Sequence, residues 1–226
     1  MDLQSHVRRS TAEKNTAVLS ALDDKIELNN AINKNLEAQA QAIFDEFYNS
    51  SLPTKKLLSI ADVRYGKNLP TKKLCKKGYR VFGGNGIIGR YTEYLYEKPM
   101  IIVSCRGAAS GKVIITYPYS FVTNNSLVIE LKDYRYYEFL KRFFLENQFF
   151  LYATGSAQPQ ITIESLKKIL VPYPDFVLIE EITNTFKSYS DMIYNNELEN
   201  ETLGEIRDAL LPRLMSGEID VSAVEI

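Results

Sequence analysis

The sequence predicts an α+β protein in which one mixed α/β domain is flanked by two long coiled-coil helices. Three observations support this fold class. Apolar residues recur at helical spacing near both ends of the chain, the two end segments repeat each other, and the middle has short apolar runs between glycine and asparagine turns. We place the first helix in residues 1–50, the mixed domain in 51–174 and the second helix in 175–226.

The first helix is predicted from about Thr11 to Tyr48, a stretch that contains neither glycine nor proline, and Pro53 closes it. Its apolar residues follow alternating steps of four and three when two asparagines are counted with them, which is a coiled-coil pattern. The positions are Leu22, Ile26, Asn29, Asn33, Leu36, Ala40, Ile43 and Phe47.

The second helix is predicted to start after Pro174, with Asp175 as its N-cap or as an acid in its first turn. It keeps the same steps of four and three. Its seam positions are Ile179, Ile182, Phe186, Tyr189, Ile193, Asn196, Asn200, Leu203, Leu210 and Leu214. We expect Pro212 to bend or end this helix and Ser216–Gly217 to stop it.

The two helices are related by a shift of 167 residues, which places Asn29 on Asn196 and Asn33 on Asn200. A buried asparagine in a helix seam needs a hydrogen-bond partner, and a second asparagine supplies one, so such pairs fix register. We therefore assign these four asparagines to the register of a coiled coil or a dimer. Two unrelated amphipathic helices are the alternative.

The middle of the chain changes to the pattern of short strands. The predicted strands are 80–82, 100–104, 112–116, 126–131 and 169–172, and residues 90–96 alternate like a strand or loop. A helix is predicted from Tyr136 to about Leu151, and a helical turn at Ile163–Leu166. This mixture defines the α/β domain.

The middle segment is basic, although the whole chain has a net charge of −1. Ser51–Pro174 contains 19 Lys and Arg against 8 Asp and Glu, a charge of +11. The remaining residues contain 8 basic and 20 acidic side chains, a charge of −12. A basic centre between acidic arms predicts a polyanion ligand, and a lysine-rich solvated face is the alternative.

The candidate DNA contacts are polar residues in the predicted turns of this basic segment. Lysine and arginine neutralise phosphates, and asparagine and glutamine present the donor and acceptor pair that reads adenine. The basic candidates are Lys67, Lys72, Lys73, Lys76, Arg90, Arg106 and Lys112. The amide candidates are Asn85, Asn124, Asn125, Gln158 and Gln160. Each of them can also be an ordinary turn or capping residue.

Two glycine-rich segments resemble nucleotide-binding loops but lack what such loops need. Gly84–Gly89 has the spacing G-x-G-x-x-G, yet no helix is predicted after it. Arg106–Lys112 is one residue short of a phosphate loop, and Val113 replaces the required serine or threonine. We therefore predict no cofactor. Backbone amides of the second loop, with its two basic residues, can still hold a DNA phosphate, and a plain turn is the alternative.

The residue counts exclude several classes of protein. The single histidine, His6, excludes a histidine metal site and a Ser-His-Asp triad. Cys75 and Cys105 are too few for a disulfide framework. No apolar run is long enough to cross a membrane, and the N-terminus lacks the apolar segment of a secretory signal. We expect a cytoplasmic protein with no metal site and no catalysis of its own.

Three stretches resemble the specificity subunit of type I restriction-modification systems. Asp23–Phe44 is similar to the central conserved helix of that family. Thr154–Ile161 with Leu166–Pro174 resembles the end of a target-recognition domain, and Leu210–Asp220 resembles the end of these subunits. The chain resembles half a subunit, because it has one recognition domain and starts with the central helix.

The resemblance implies a non-catalytic subunit that reads part of a bipartite DNA target. Family members hold two recognition domains apart with antiparallel coiled-coil helices and recruit methylation and restriction subunits, which work with S-adenosylmethionine and ATP. The expected partners are double-stranded DNA, methylation and restriction subunits, and a second copy or a different half. A helix of about 40 residues is about 60 Å long, enough to space two domains along more than one DNA turn.

Three alternatives stay open. An inactive gene cassette, which acts only when joined to another recognition domain, has the same sequence features. A coiled-coil interaction protein with a basic ligand-binding domain shares the helices but predicts no steep loss of binding with salt. A cofactor enzyme that uses Gly84–Gly89 predicts dinucleotide binding that Gly86→Ala abolishes.

Overall fold

The computed structural model describes residues 3–49, 51–147, 149–155 and 159–219, with side chains from Lys14 onward. They form two compact units. The helix unit consists of the first helix up to Ala40 and the last helix from Ser188, and the sheet unit consists of residues 41–187. The predicted α+β class, with a long helix before and after a β-rich domain, is confirmed.

The β-rich domain has short strands and short helices between the two long helices. In chain order the elements are α1 (Leu3–Phe47), β1 (Thr54–Lys56), α2 (Leu57–Ile60), β2 (Ala61–Tyr65), β3 (Tyr79–Gly83), β4 (Gly86–Tyr91), β5 (Ile101–Ser104), β6 (Val113–Ile115), β7 (Phe121–Val122), β8 (Ser126–Leu131), α3 (Tyr137–Glu146), α4 (Ile163–Leu166), β9 (Leu170–Pro172) and α5 (Phe176–Met215).

The two long helices differ from the predicted pattern at the start of α1 and at Pro212 of α5. α1 begins at Leu3 rather than near Thr11, since no glycine or proline between them interrupts it. α5 continues through Pro212 to Met215, so of the two expected effects of Pro212, a bend or an end, the end does not occur. Proline removes one backbone hydrogen bond of the helix, and this loss falls close to the helix end, where few bonds follow.

The C-terminal end of α5 is set by Gly217, as predicted from its position after the last seam residue. Gly217 has a φ of 75°, a left-handed conformation that favours glycine. The amide of Gly217 donates to the carbonyl of Leu214, and that of Glu218 donates to the carbonyl of Arg213. This pair of bonds is a Schellman motif, which satisfies carbonyls that the helix leaves open.

Within the helix unit, α1 and α5 lie antiparallel, because partner numbers rise along one helix as they fall along the other. Asn29 Nδ2 donates to Asn200 Oδ1 at 2.9 Å, and Asn196 Nδ2 donates to Asn33 Oδ1 at 2.7 Å. Asn29 is buried, so its amide group needs a partner. The four asparagines assigned to register thus face one another inside one chain.

One side of this helix pair is polar. Arg207 Nη1 forms an ion pair with Asp23 at 2.8 Å. Asn200 Nδ2 donates to Asn30 Oδ1 at 3.0 Å, and Asn30 follows Asp23 by seven residues, or two helical turns. We call this the polar side of the helix unit.

The opposite side carries exposed apolar residues. It is marked by the ion pair of Lys25 with Glu199 at 3.2 Å. Ile32 follows Lys25 by seven residues, and Met192 and Ile206 each lie seven residues from Glu199, so all three lie on this side. We call it the apolar side. Its exposed apolar residues are Leu28, Ile32, Met192 and Ile206.

The sheet unit packs two main sheets against each other. One has the strand order β2-β8-β5-β6 and the other the order β4-β3-β7, while β1 and β9 form a separate pair. The residues of β5 and the first four residues of β8 are buried on both faces. The core between the sheets is formed by Phe82, Met100, Ile102, Val122 and Val128.

Several elements of the sheet unit differ from the predicted pattern. β1, β2 and β7 were not predicted, because each is only two to five residues long and lacks a clear apolar run. The helix predicted from Tyr136 to Leu151 ends at Glu146. Asn147 leaves the helical conformation, and its Nδ2 caps the carbonyl of Phe143 at 2.6 Å. A separate 3-10 turn follows at Phe149–Tyr152.

Candidate nucleic-acid interface

Turns from both sheets line an open pocket with a volume of about 900 Å³, which we call the turn groove. The β3–β4 turn, the β5–β6 connection and the β7–β8 turn contribute to it, together with the 3-10 turn at Phe149–Tyr152. These segments are distant in sequence. The lining residues are Gly84, Asn85, Arg106–Lys112, Asn125, Phe149 and Phe150.

The groove brings together five of the predicted DNA contacts. Asn85, Arg106, Lys112 and Asn125 line it. Gln160 lies beside it, because it forms an antiparallel β-bridge with Arg106. All five side chains belong to exposed residues. Amides and basic groups in one concave surface match the mixture of base readout and phosphate contact that DNA recognition requires.

One hydrogen-bonded pair braces the groove between the two sheets. Lys112 Nζ donates to the side-chain Oδ1 of Asn85 at 2.8 Å and to its backbone carbonyl at 3.3 Å. Lysine can only donate, so this contact fixes which amide atom of Asn85 is the oxygen. The Nδ2 group of Asn85 is left as the donor for a ligand. Bidentate recognition of adenine would need both Nδ2 and Oδ1 of Asn85, and Lys112 already occupies Oδ1.

Three backbone amides of the β5–β6 connection are used within the protein. The amides of Ser110, Gly111 and Lys112 donate to carbonyls of the connection and of Ser104. These three amides are therefore engaged within the protein, so a phosphate held through the backbone would need other amides of the connection. The exposed guanidinium of Arg106 is the better phosphate ligand.

A buried hydroxyl faces the same groove. Ser110 is only 7% exposed and lines the groove, and within the described residues its Oγ has no hydrogen-bond partner. Buried hydroxyls in proteins are nearly always satisfied. A ligand oxygen or amine in the groove would supply the missing partner.

Two further candidates adjoin the groove. The amide of Asn124 donates to the carbonyl of Lys67 at 3.2 Å, and Asn124 is next to the groove residue Asn125. This contact requires a close approach at Gly66, where a Cβ atom would lie 2.4 Å from the carbonyl oxygen of Thr123. The approach holds Lys67 beside the groove.

The remaining basic candidates lie at the other end of the β3–β4 hairpin. Gly83 pairs with Gly86 at the groove end, whereas Tyr79 pairs with Tyr91 at the far end. The loop that carries the lysines is joined to that far part by the bond from the Cys75 amide to the carbonyl of Arg90 at 2.9 Å. The residues not brought into the groove are Lys72, Lys73, Lys76 and Arg90. Gln158 lies outside the described residues.

The sequence did not single out Phe150, which lines the groove with 54% of its surface exposed. A signal was available. Phe149, Phe150, Leu151 and Tyr152 are consecutive, and a run of four large apolar residues cannot face one side of a helix.

Other chemistries find little support in the sheet unit. Gly86–Tyr91 forms β4 of a hairpin, so the G-x-G-x-x-G segment does not lead into a helix as a dinucleotide site requires. Burial raises the pKa of the Cys105 thiol, which keeps it protonated and a poor nucleophile. Among the described residues, no group of three or more His, Cys, Asp or Glu side chains is placed to hold a metal.

None of the helices in the described ranges combines the length and the apolar character that crossing a bilayer requires.

The chain is similar to known proteins both in sequence and in structure. A curated relative, the type I restriction enzyme MjaIX specificity subunit of Methanocaldococcus jannaschii, is 24% identical over 136 residues. The match covers 58% of this chain and 32% of that subunit, so the chain matches about a third of its relative's length.

Solved structures show the same fold. The S subunit of a type I restriction-modification system from M. genitalium superposes with a TM-score of 0.67 at 19% identity, over 88% of this chain and 59% of that one. A chain from a structure that addresses complex assembly and conformational transition of a type I system has a TM-score of 0.50 at 15% identity, over 95% and 60%. At these identities the likeness establishes the fold alone.

The family model for the type I restriction modification DNA specificity domain matches residues 50–207. This range includes almost all of the sheet unit and most of α5. Because it covers well over half of the sequence, the chain belongs to the type I restriction-modification DNA specificity family.

Proposed function

We propose that this chain is a DNA sequence-recognition subunit of a type I restriction-modification complex and has no catalytic role itself. The turn groove reads one half of a bipartite target. The observation that carries this proposal is the convergence of Asn85, Arg106, Lys112 and Asn125 on one concave surface. The net charge of +11 on Ser51–Pro174 supports it, because phosphate neutralisation supplies much of DNA affinity.

Within the groove we assign different roles to basic and amide groups. Arg106 contacts a phosphate, because its guanidinium is exposed and suited to bidentate phosphate binding. Asn85 and Asn125 contact base edges. Since Lys112 uses the Oδ1 of Asn85, we expect Asn85 to donate through Nδ2 to an acceptor in the major groove.

Binding as a function of salt tests the proposal. The full chain is titrated with a pool of mixed-sequence duplexes at several salt concentrations. We expect affinity to fall steeply with salt, and the slope of log affinity against log salt to decrease by about 1 in Arg106→Gln. Lys168→Gln, which removes an exposed charge outside the groove, is the matched control and should keep more of the slope. Binding that does not respond to salt would favour the interaction-protein alternative.

We further propose that the apolar side of the helix unit binds a partner subunit, with the methylation subunit as the expected partner. Its exposed apolar residues lie on both helices, on either side of the Lys25–Glu199 ion pair, and exposed apolar patches on protein surfaces mark interaction sites. The test is co-elution with a methylation subunit. Ile206→Gln should weaken it, whereas Leu211→Gln, an exposed leucine next to the polar side, should not.

A bipartite target needs a second recognition domain, and we propose that a second copy or a different half supplies it. The asparagine seam is already satisfied inside one chain. Two copies must therefore meet through another surface or exchange helices. Light scattering of the purified chain distinguishes self-pairing from the absence of self-pairing. A mass of twice 25.8 kDa supports self-pairing, whereas 25.8 kDa at every concentration supports a different half or a silent cassette.

A further inference from the structure

We infer that Phe150 is a wedge that enters the DNA between adjacent base pairs, so that the groove recognises a duplex opened at one step. The inference rests on the proposed DNA-recognition function. It assigns to the groove a ligand class, namely a duplex that is locally unstacked, and it assigns to Phe150 a positioning role that residue type and charge did not suggest.

The first argument is how firmly Phe150 is held. Its neighbour Phe149 is only 1% exposed and stacks on Phe144, with ring centroids 5.0 Å apart and an angle of 7° between the rings. The amide of Ala153 donates to the carbonyl of Phe150 at 3.0 Å and closes the turn. Phe149 therefore anchors the turn in the core while Phe150 projects from it.

The second argument is the contact between this turn and the β5–β6 connection. Gly111 has a φ of +94°, and a Cβ atom there would lie 2.3 Å from the Phe150 amide nitrogen. The two backbones are thus in direct contact, and only glycine permits it. The same connection carries Arg106 and Lys112, so the backbone that bears the Phe150 ring lies at a fixed distance from the backbone that bears the basic groups.

The third argument is the combination of exposure and charge. Phe150 is 54% exposed and Leu151 is 71% exposed, although Phe149 immediately before them is buried. An exposed apolar pair whose first residue lines a groove with two basic side chains is an unfavourable surface in water. DNA offers both complements: phosphates for Arg106 and Lys112, and an apolar stack for the ring. Proteins that insert Phe or Leu at a base step unstack it and kink the duplex.

The test starts from the duplex that the full chain itself enriches from a random pool. The fluorescent base 2-aminopurine is then placed at each position in turn. We expect wild-type protein to raise its fluorescence at one step, and Phe150→Trp to keep this signal. Phe150→Ala should abolish the signal and weaken binding to the intact duplex about tenfold. Leu170→Ala, an equally exposed apolar residue outside the groove, should change neither.

A second readout uses a mismatch placed at the identified step, which removes much of the cost of unstacking. Wild-type protein should prefer the mismatched duplex, and Phe150→Ala should lose that preference. If wild-type protein enriches a sequence but leaves fluorescence unchanged at every step, the wedge is refuted while the recognition function stands. If wild-type protein enriches no sequence, both the wedge and the proposed recognition function are refuted. Unfolding temperatures of the variants should match wild type, because Phe150 is exposed.

Discussion

The helix unit and the sheet unit bring side chains together in different ways. In the helix unit, one seven-residue period places Asp23 and Asn30 on the polar side, and Lys25 and Ile32 on the apolar side. In the sheet unit, the groove is assembled from turns that lie far apart in the chain. The difference teaches that the arrangement of the helix unit depends on a local repeat, whereas the arrangement of the groove depends on which distant turns meet.

The two parts also differ in charge. The segment from Ser51 to Pro174 carries +11 and the remainder carries −12. A polyanion would therefore be attracted to the basic segment and repelled by the acidic remainder.

The largest expected effect concerns the tolerance of each unit to one added methyl group. Gly66→Ala in the sheet unit should lower the free energy of unfolding by about 3 kcal/mol, because its Cβ would lie 2.4 Å from two backbone oxygens. Gly204→Ala in α5 should raise it by about 1 kcal/mol, because nothing lies within 4 Å and alanine favours helix. Urea unfolding measures both. Equal effects of the two substitutions would remove this contrast.

The next effect concerns the asparagine seam. Asn200→Leu should lower the free energy of unfolding by about 1 to 2 kcal/mol, because it removes one of the two acceptors of the buried Asn29 amide and leaves only Glu199, and it also removes the donor to Asn30. The double variant Asn29→Leu with Asn200→Leu should recover this loss, since two apolar side chains replace the pair. A double-mutant cycle in urea measures the coupling. Asn195→Leu, an exposed position on α5, is the control, and additive losses would contradict a direct pairing.

A smaller effect on stability is expected at the groove brace. Asn85→Ala should change the free energy of unfolding by less than about 0.5 kcal/mol, because Asn85 is exposed. It should nevertheless alter the bases that the chain selects, since it releases Lys112 and removes a donor from the groove. Selection from a random duplex pool measures this change. An unaltered base preference would exclude Asn85 from readout.

The smallest effect is a pH dependence in the helix unit. Hydrogen bonds from Asn29 and Lys25 hold the pKa of Glu199 below its ordinary value. Its stabilising contribution is therefore present above the unfolded value of about 4.3 and is lost as pH falls through the lowered pKa. The stability difference between wild type and Glu199→Gln should shrink below about pH 4. Thermal unfolding across pH 3 to 7 measures it, with Glu205→Gln as the control. A difference that grows in acid would contradict the assigned cause.

The helix unit could be predicted in detail because its information is local and periodic. The steps of four and three identified the four asparagines as seam positions. The shift of 167 residues aligns Asn29 with Asn196, whereas in the structure Asn29 bonds Asn200 and Asn33 bonds Asn196. The pairing direction then follows from contacts such as Asn33 with Asn196. The start of α1 lies earlier than predicted, and Pro212 does not end α5, because a proline near a helix terminus removes few hydrogen bonds.

The groove could be predicted only in part, because it depends on contacts between distant segments. Residue type and charge identified Asn85, Arg106, Lys112 and Asn125, and they also selected Lys72 and its neighbours, which the hairpin carries to its other end. Nothing local in sequence reveals which turns meet. Phe150 was missed for the same reason, since its exposure follows from the packing of Phe149.

Enrichment of duplexes from a random pool by the full wild-type chain, read by sequencing, tests the central claim most directly. We expect one short sequence to be enriched, with enrichment reduced in Arg106→Gln and its base pattern altered in Asn85→Ala. Recovery of the pool without any preferred sequence would contradict the assignment of DNA recognition to the turn groove.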